Sequence, residues 1–361
     1  MINIAQPLIG DEEKQAVMEV LDSGILAQGP RVAAFEKAFA EMCGVKFAIA
    51  TSSGTTALHT ALLAHGIGEG DEVITSSFTF IASANSVLYT GARPVFTDID
   101  EATFNLDPSL IEAAITERTK AIMPVHLFGM SSDMDAIQAI ADKHGLVIIE
   151  DACQSHGASF NGQRVGSFGT GCFSLYPTKN MTSAEGGMIT TNDEAFDTEC
   201  RIVRQHGMRT RYYHDDLGFN FRMTDVHAAI GLEQLKKLPE FNAARQRNAE
   251  FYSEHMTGVV VPQVMAGADH VYHQFTIRVP AGQRDAMLEH LKENEIGCGV
   301  YYPVPVHQQN YYTKDLGYSQ SLPVTEKLAQ EVLSLPVHPA LGPADLEQVV
   351  DAVNQFKVEK L

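Results

Sequence analysis

The chain has 361 residues, 45% of them hydrophobic, enough for two domains or one large domain with an appendage. Its formal charge of -19 with no basic stripe excludes a binder of nucleic-acid backbones, while leaving room for a small anionic ligand held by local arginines. A start without the marks of a secretory signal, no apolar run of membrane-spanning length and five isolated cysteines lead to the expectation of a cytoplasmic protein with no membrane partner, disulfide framework or metal.

In chain order, residues 11–21 read as a helix with acids in its first turn, stopped by Ser23-Gly24. Residues 31–42 place Val32, Phe35, Phe39 and Met42 near helical spacing, with Gly44 as the stop. A short strand at 47–50 runs through Thr51-Ser52-Ser53-Gly54-Thr55-Thr56 into a helix at 57–64. That turn fits either an anion cradle of free amides and hydroxyls or a plain capped helix start. Strands at 72–75, 94–96, 121–124 and 146–149 alternate with helices at 109–115 and 133–144, and residues 77–87 read as a loop entering a helix. This alternation predicts an α/β fold with a mostly parallel sheet.

Two further strands, 171–175 and 188–191, precede a helix at 193–206. The run HGMRTRYYHDDLGFNFRMTD reads as an exposed, ordered loop carrying Arg209, Arg211, His214, Asn220 and Arg222. Thr224 is placed to cap a helix over 226–235, Pro239 marks a break, and 241–255 reads as a separate helix. The remainder changes character: strands near 274–279 and 297–301, a helix near 284–294, a proline-rich loop at 302–306 and a last helix at 343–356. We expect a large domain over 12–239 and a smaller α+β domain over 240–361, with residues 1–11 packing back toward the latter.

The chemistry concentrates between Gly145 and Thr191. Asp151 stands at the end of an apolar strand, where open α/β sheets bind ligands, and Lys179 lies in a loop shortly before Gly186-Gly187. An acid and a lysine so placed suit a cofactor with a cationic ring nitrogen and an aldehyde, which is pyridoxal 5'-phosphate. Neither a Walker lysine pattern nor a dinucleotide GxGxxG accompanies the TSSGTT turn, so nucleotide-binding readings are poor. Lys179 as a solvent-facing loop residue, and Asp151 as a strand-end cap or phosphate partner, stand as the alternatives.

SGTTAL at 53–58, DEVITSSFTFIASANSV at 71–87, EDACQSHGA at 150–158, SLYPTKNMTSAEGGMITTND at 174–193, GFNFRMTDVHAAIG at 218–231 and YYPVPVH at 301–307 add up to a pattern running nearly end to end. The chain resembles the DegT/DnrJ/EryC1/StrS family of sugar aminotransferases, within the fold-type I pyridoxal phosphate enzymes. The resemblance implies that Lys179 is the internal aldimine lysine and that Asp151 partners the ring nitrogen. It further implies that Gln154 lies near the phenolic oxygen, that Phe80 stacks on the ring, and that Gly54, Thr55 and Ser174 hold the phosphate. Asn220 matches a residue supplied by the neighbouring subunit, which implies a homodimer with shared sites.

His307 and the 211–222 loop fall where the family meets its sugar nucleotide, and Tyr301 and Tyr302 beside their prolines fit either a lining of that pocket or a rigid domain seam. Arg211, Arg222 and His214 are candidates for diphosphate or donor-carboxylate contacts; the other reading is an ion-pair network at a dimer interface. The implied reaction moves an amino group from L-glutamate to a 3- or 4-keto sugar on a nucleoside diphosphate, by way of pyridoxamine phosphate, for amino-sugar and polysaccharide biosynthesis. The family's dehydratase branch carries histidine at the lysine position, so Lys179 favours transamination. Ser183-Ala184 departs from the threonine-glycine of many members. A transaminase or dehydratase acting on a cyclitol or other non-nucleotide keto substrate is the alternative, and a non-enzymatic regulator on the same scaffold a third reading.

Overall fold

The computed structural model describes residues 1–280 and 282–356. Two helices open the chain, α1 (Asp11–Ser23) and α2 (Pro30–Cys43). Each ends on a glycine in the left-handed region, Gly24 at φ 69° and Gly44 at φ 70°, where a side chain would be strained. Strands and helices then alternate as β1 (Phe47–Thr51), α3 (Gly54–Ala64), β2 (Glu72–Ser76), α4 (Ala82–Tyr89), β3 (Arg93–Thr97), α5 (Ile111–Ala114), β4 (Thr119–Met123), α6 (Met134–His144) and β5 (Val147–Asp151). A small hairpin, β6 (Ser159–Phe160) and β7 (Gln163–Arg164), leads to β8 (Thr170–Ser174), β9 (Gly187–Thr191) and α7 (Glu194–Arg204).

The central sheet has the order β1-β9-β8-β5-β4-β2-β3, with β9 antiparallel to both neighbours and the other pairings parallel. Successive residues serve opposite faces: Ile148 packs with Ile122 and Ile137 of α6, and Ile149 with Leu58 and Leu62 of α3. Helices on both faces explain why these strands are apolar runs rather than alternating ones. The carboxyl ends of β1, β2, β5 and β8 share one edge, and that edge carries the site.

After α7, a short exposed hairpin of β10 (Met208–Thr210) and β11 (Tyr213–His214) occupies part of the expected loop. α8 (Asp225–His255) is capped by Thr224, whose hydroxyl accepts the His227 amide. Here the sequence reading is corrected, because α8 runs unbroken through Pro239. A proline inside a helix removes one main-chain bond and crowds the carbonyl four residues back, at about 3 kcal/mol. Packing on both sides outweighs that cost. Leu235 and Leu238 lie in an apolar cluster with Phe35, Phe39 and Phe173, whereas Ala249 and Tyr252 lie in another with Ile2, Phe275 and Leu333.

β12 (Ala268–Asp269), β13 (Phe275–Arg278), α9 (Arg284–Glu293), α10 (Pro323–Glu331), β14 (Val332–Leu335) and α11 (Pro343–Gln355) follow. β13 pairs antiparallel with β14, and α9 and α11 cover the pair through Met287, Leu291, Val349 and Val353. The strand expected at 297–301 does not form among the described residues. Instead Ile296 and Gly299 make single bridges to Ile2 and Ser334. Tyr301 folds back over Gly299, so close that an added Cβ would sit 2.7 Å from its ring, and the chain turns before a ladder develops.

Candidate active site

A cavity of about 620 Å³ opens at the shared strand edge, lined in part by Gly54, Thr55, Phe80, Asp151, Gln154, Ser174, Lys179 and Tyr301. A volume of that size suits a cofactor-sized ligand.

Asp151 ends β5, and its main chain is pinned by bonds to Pro124 O and from the His126 amide. Its Oδ2 accepts from Ser83 Oγ at 2.6 Å and its Oδ1 from the Cys153 amide at 3.2 Å. Both oxygens are therefore oriented acceptors at the cavity wall. Lys179 sits in the turn after β8, where its amide donates to Tyr176 O at 2.9 Å. Among the described residues its Nζ has no hydrogen-bond partner. Burial lowers its pKa below the ordinary 10.5, with Cys153 and Asp151 opposing in part. An uncommitted amine with a depressed pKa is the condition for an attacking lysine.

The turn between β1 and α3 closes on itself through reciprocal cap bonds. Ser53 Oγ accepts the Thr56 amide at 3.1 Å, and Thr56 Oγ1 accepts the Ser53 amide at 2.9 Å. Those reciprocal bonds close the cap, leaving the Gly54 and Thr55 amides without partners among the described residues. A Cβ at Gly54 would lie 2.7 Å from Ser174 Cβ and 3.1 Å from Cys153 Sγ, so only glycine lets the turn close on the end of β8. A Cβ at Gly187 would likewise collide with Ser53 O. Free amides at a helix start, beside the Ser174 hydroxyl, fit a phosphate.

Gln154 is locked by its two ends: Oε1 accepts the Phe128 amide at 2.8 Å and Nε2 donates to Tyr302 OH at 3.2 Å. Phe80 is 55% exposed, its ring free to stack, with its centroid 6.2 Å from that of Tyr302. Both Gln154 and Phe80 line the cavity.

Others do not come to this cavity within one chain. Arg211 and His214 lie exposed on the β10–β11 hairpin, Arg211 over the Tyr212 ring and His214 bonded to His206 O. Asn220 and Arg222 also lie outside the lining. His307, expected near a sugar, is 2% exposed, and its ring is taken by Ser77 and Glu326. In turn the cavity holds residues the sequence did not single out: Ile4, Ala5, Ser83, Glu185, His273 and Gln274. The hydroxyl-rich run 76–79 was a visible signal for Ser83's neighbourhood; nothing local marks Ile4 or His273.

A strand-end carboxylate, an unpaired lysine amine and an anion cradle around one cavity define a site for an aldehyde cofactor bearing a phosphate and a basic ring nitrogen. The profile of the DegT/DnrJ/EryC1/StrS aminotransferase family matches residues 7–354, and the chain belongs to that family. Its enzymes depend on pyridoxal phosphate.

The chain is 44% identical to a "Pleiotropic regulatory protein" of Geobacillus stearothermophilus, over 96% of this chain and 95% of the relative. It is 43% identical to a UDP-N-acetyl-3-dehydro-alpha-D-glucosamine 3-aminotransferase of Acidithiobacillus ferrooxidans, over 96% and 94%. Among solved structures, S. venezuelae DesV in complex with a ketimine intermediate superposes with a TM-score of 0.93 at 40% identity, covering 97% of this chain and 95% of that one. NtdA of Bacillus subtilis, solved with the cofactor PMP, gives 0.89 at 34% identity, covering 95% and 80%. The central sheet thus agrees with the fold-type I expectation.

Proposed function

We propose that this chain is a sugar-nucleotide aminotransferase, moving an amino group from L-glutamate to a keto sugar carried on a nucleoside diphosphate. The observation that carries the proposal is the uncommitted Lys179 amine sharing one cavity with the Asp151 carboxylate and the Gly54–Thr55 amides. The printed names of the relatives, a UDP-sugar 3-aminotransferase among them, support the substrate class.

Bound pyridoxal phosphate supplies an electron sink for the carbon that gains or loses the amino group. Asp151 would hold the positive charge of the ring nitrogen. Gln154 would face the phenolic oxygen, Phe80 would cover the ring, and Gly54, Thr55 and Ser174 Oγ would hold the phosphate. Lys179 Nζ takes and returns the proton at the reacting carbon. Tyr301 stands at the cavity wall for the sugar nucleotide.

The active form in this proposal is a cytoplasmic homodimer. Asn220 of the partner subunit completes the phosphate site, and the partner subunit's Arg211, His214 and Arg222 approach the diphosphate or the donor carboxylate. Exposed Tyr212, Tyr213 and Leu217 beside that loop support a protein-covered face. We also propose that 12–239 forms the cofactor-binding domain and 240–361 a smaller one joined by residues 1–11; Ile2 packing with Phe275 supports this.

The test is spectroscopic. Glutamate added to the loaded protein should convert the aldehyde form of the cofactor to its amine form, and a keto sugar nucleotide should restore it. Restoration by a keto cyclitol instead would move the substrate class to non-nucleotide compounds. Absence of a lysine-dependent band would overturn the enzyme assignment altogether.

A further inference from the structure

We propose that His307 is a positioning residue, which with Ser77 clamps the loop carrying Tyr301 and Tyr302 to the segment carrying Phe80. This rests on the aminotransferase reading above. Ser77 directly follows β2, three residues before Phe80. Its carbonyl accepts the Val306 amide at 3.0 Å, and its Oγ accepts the His307 amide at 3.0 Å.

The same Oγ lies 2.7 Å from His307 Nδ1. Among the described residues that hydroxyl has no other acceptor, so its proton goes to Nδ1. The ring hydrogen is then on Nε2, which donates to Glu326 Oε1 at 3.3 Å; that oxygen also accepts the Leu322 amide at 2.8 Å. Both ring nitrogens are thus committed, and neither is left for a sugar. A serine–histidine–glutamate chain invites comparison with a hydrolase, but Ser77 is 0% exposed and does not line the active-site cavity.

The clamp joins two walls of the active-site cavity that come from opposite ends of the chain. Phe80 and Tyr302 face each other across 6.2 Å between ring centroids, and Tyr302 in turn orients Gln154. Misplacing such a wall by about 1 Å can cost roughly a hundredfold in rate, so partial release of the clamp should cost about tenfold.

A double-mutant cycle tests the assignment. His307→Ala and Ser77→Ala should each lower kcat/KM for the keto sugar nucleotide about tenfold, and the double variant no more than about twofold further. His307→Asn, which keeps a hydrogen-bonding atom near the Nδ1 position, should recover most of the loss, whereas His307→Gln should not. Additive losses, or rescue by Gln rather than Asn, overturn the clamp in favour of a direct substrate contact. Hydrogen exchange of the amides over 299–307 gives a readout independent of turnover. Ser77→Ala should speed it about tenfold, and unchanged exchange overturns the clamp. If the wild type converts no glutamate, the functional reading fails while the exchange measurement still decides the clamp.

Discussion

Ser83 Oγ, in the first turn of α4, donates a 2.6 Å hydrogen bond to Asp151 Oδ2 at the end of β5. The bond ties a helix start to a strand end and fixes which way the carboxylate faces. Hydrogen bonds to charged groups contribute about 1.5–3 kcal/mol, so Ser83→Ala should reduce turnover about tenfold. Asp151→Asn, which removes the charge while keeping the shape, should reduce it by roughly a hundredfold or more. Steady-state rates with saturating cofactor check both, and an Asn variant near wild-type activity would refute the role given to Asp151.

Lys179 sets a pH dependence. Only the unprotonated amine attacks an aldehyde, and burial lowers its pKa from the ordinary 10.5. The rate at which pyridoxal phosphate reloads the apoprotein should therefore rise with pH and level off below 10.5. Stopped-flow absorbance follows it directly. A rate still climbing past 10.5 contradicts a desolvated amine, and Lys179→Ala should show neither the band nor turnover.

Gly54→Ala should weaken cofactor binding about tenfold or more. Its new methyl group would need the space held by Ser174 Cβ, 2.7 Å away, and the turn would have to lift from the end of β8. Overpacking of this kind costs about 1–3 kcal/mol. Equilibrium titration with the cofactor measures it; unchanged affinity would show that the turn is not the phosphate cradle.

His65 makes the fold acid-sensitive. Its ring stacks on Phe196 with centroids 4.1 Å apart, Nε2 lies 2.8 Å from Thr170 Oγ1, and burial pulls its pKa down to about 4. The unfolded chain takes up this proton near 6.5 and the folded chain only near 4. Stability is thus fully present above 6.5 and falls as pH drops toward 4, by up to roughly 3 kcal/mol. His65→Leu should flatten this part of the profile in urea unfolding at pH 7 and 4.5. Parallel losses in both proteins would rule His65 out as the source.

The convergence of Asp151, Gly54 and Lys179 on one cavity was legible because they sit at punctuation in the sequence. Asp151 ends an apolar run, Gly54 lies in a hydroxyl-rich turn after a strand, and Lys179 follows one. Ser83, His273 and Ile4 were not legible, since they reach the cavity only through tertiary packing. Pro239 misled because the rule for it weighs a local cost, whereas the outcome is set by Leu235, Leu238, Ala249 and Tyr252 packing on both sides. His307 was read by resemblance as a sugar contact, yet its ring partner Ser77 is 230 positions away in sequence, beyond what local pattern can indicate. The hairpin bearing Arg211 and His214 has no periodicity to read, and it lies outside the cavity lining.

The unbroken α8 has a thermal consequence. One rod supplies Leu235 and Leu238 to the first apolar cluster and Ala249 and Tyr252 to the second, so neither cluster can come apart without fraying the rod that organises the other. Heating the apoprotein should accordingly give a single cooperative endotherm rather than two, even though the chain is long enough for independent melting of its halves.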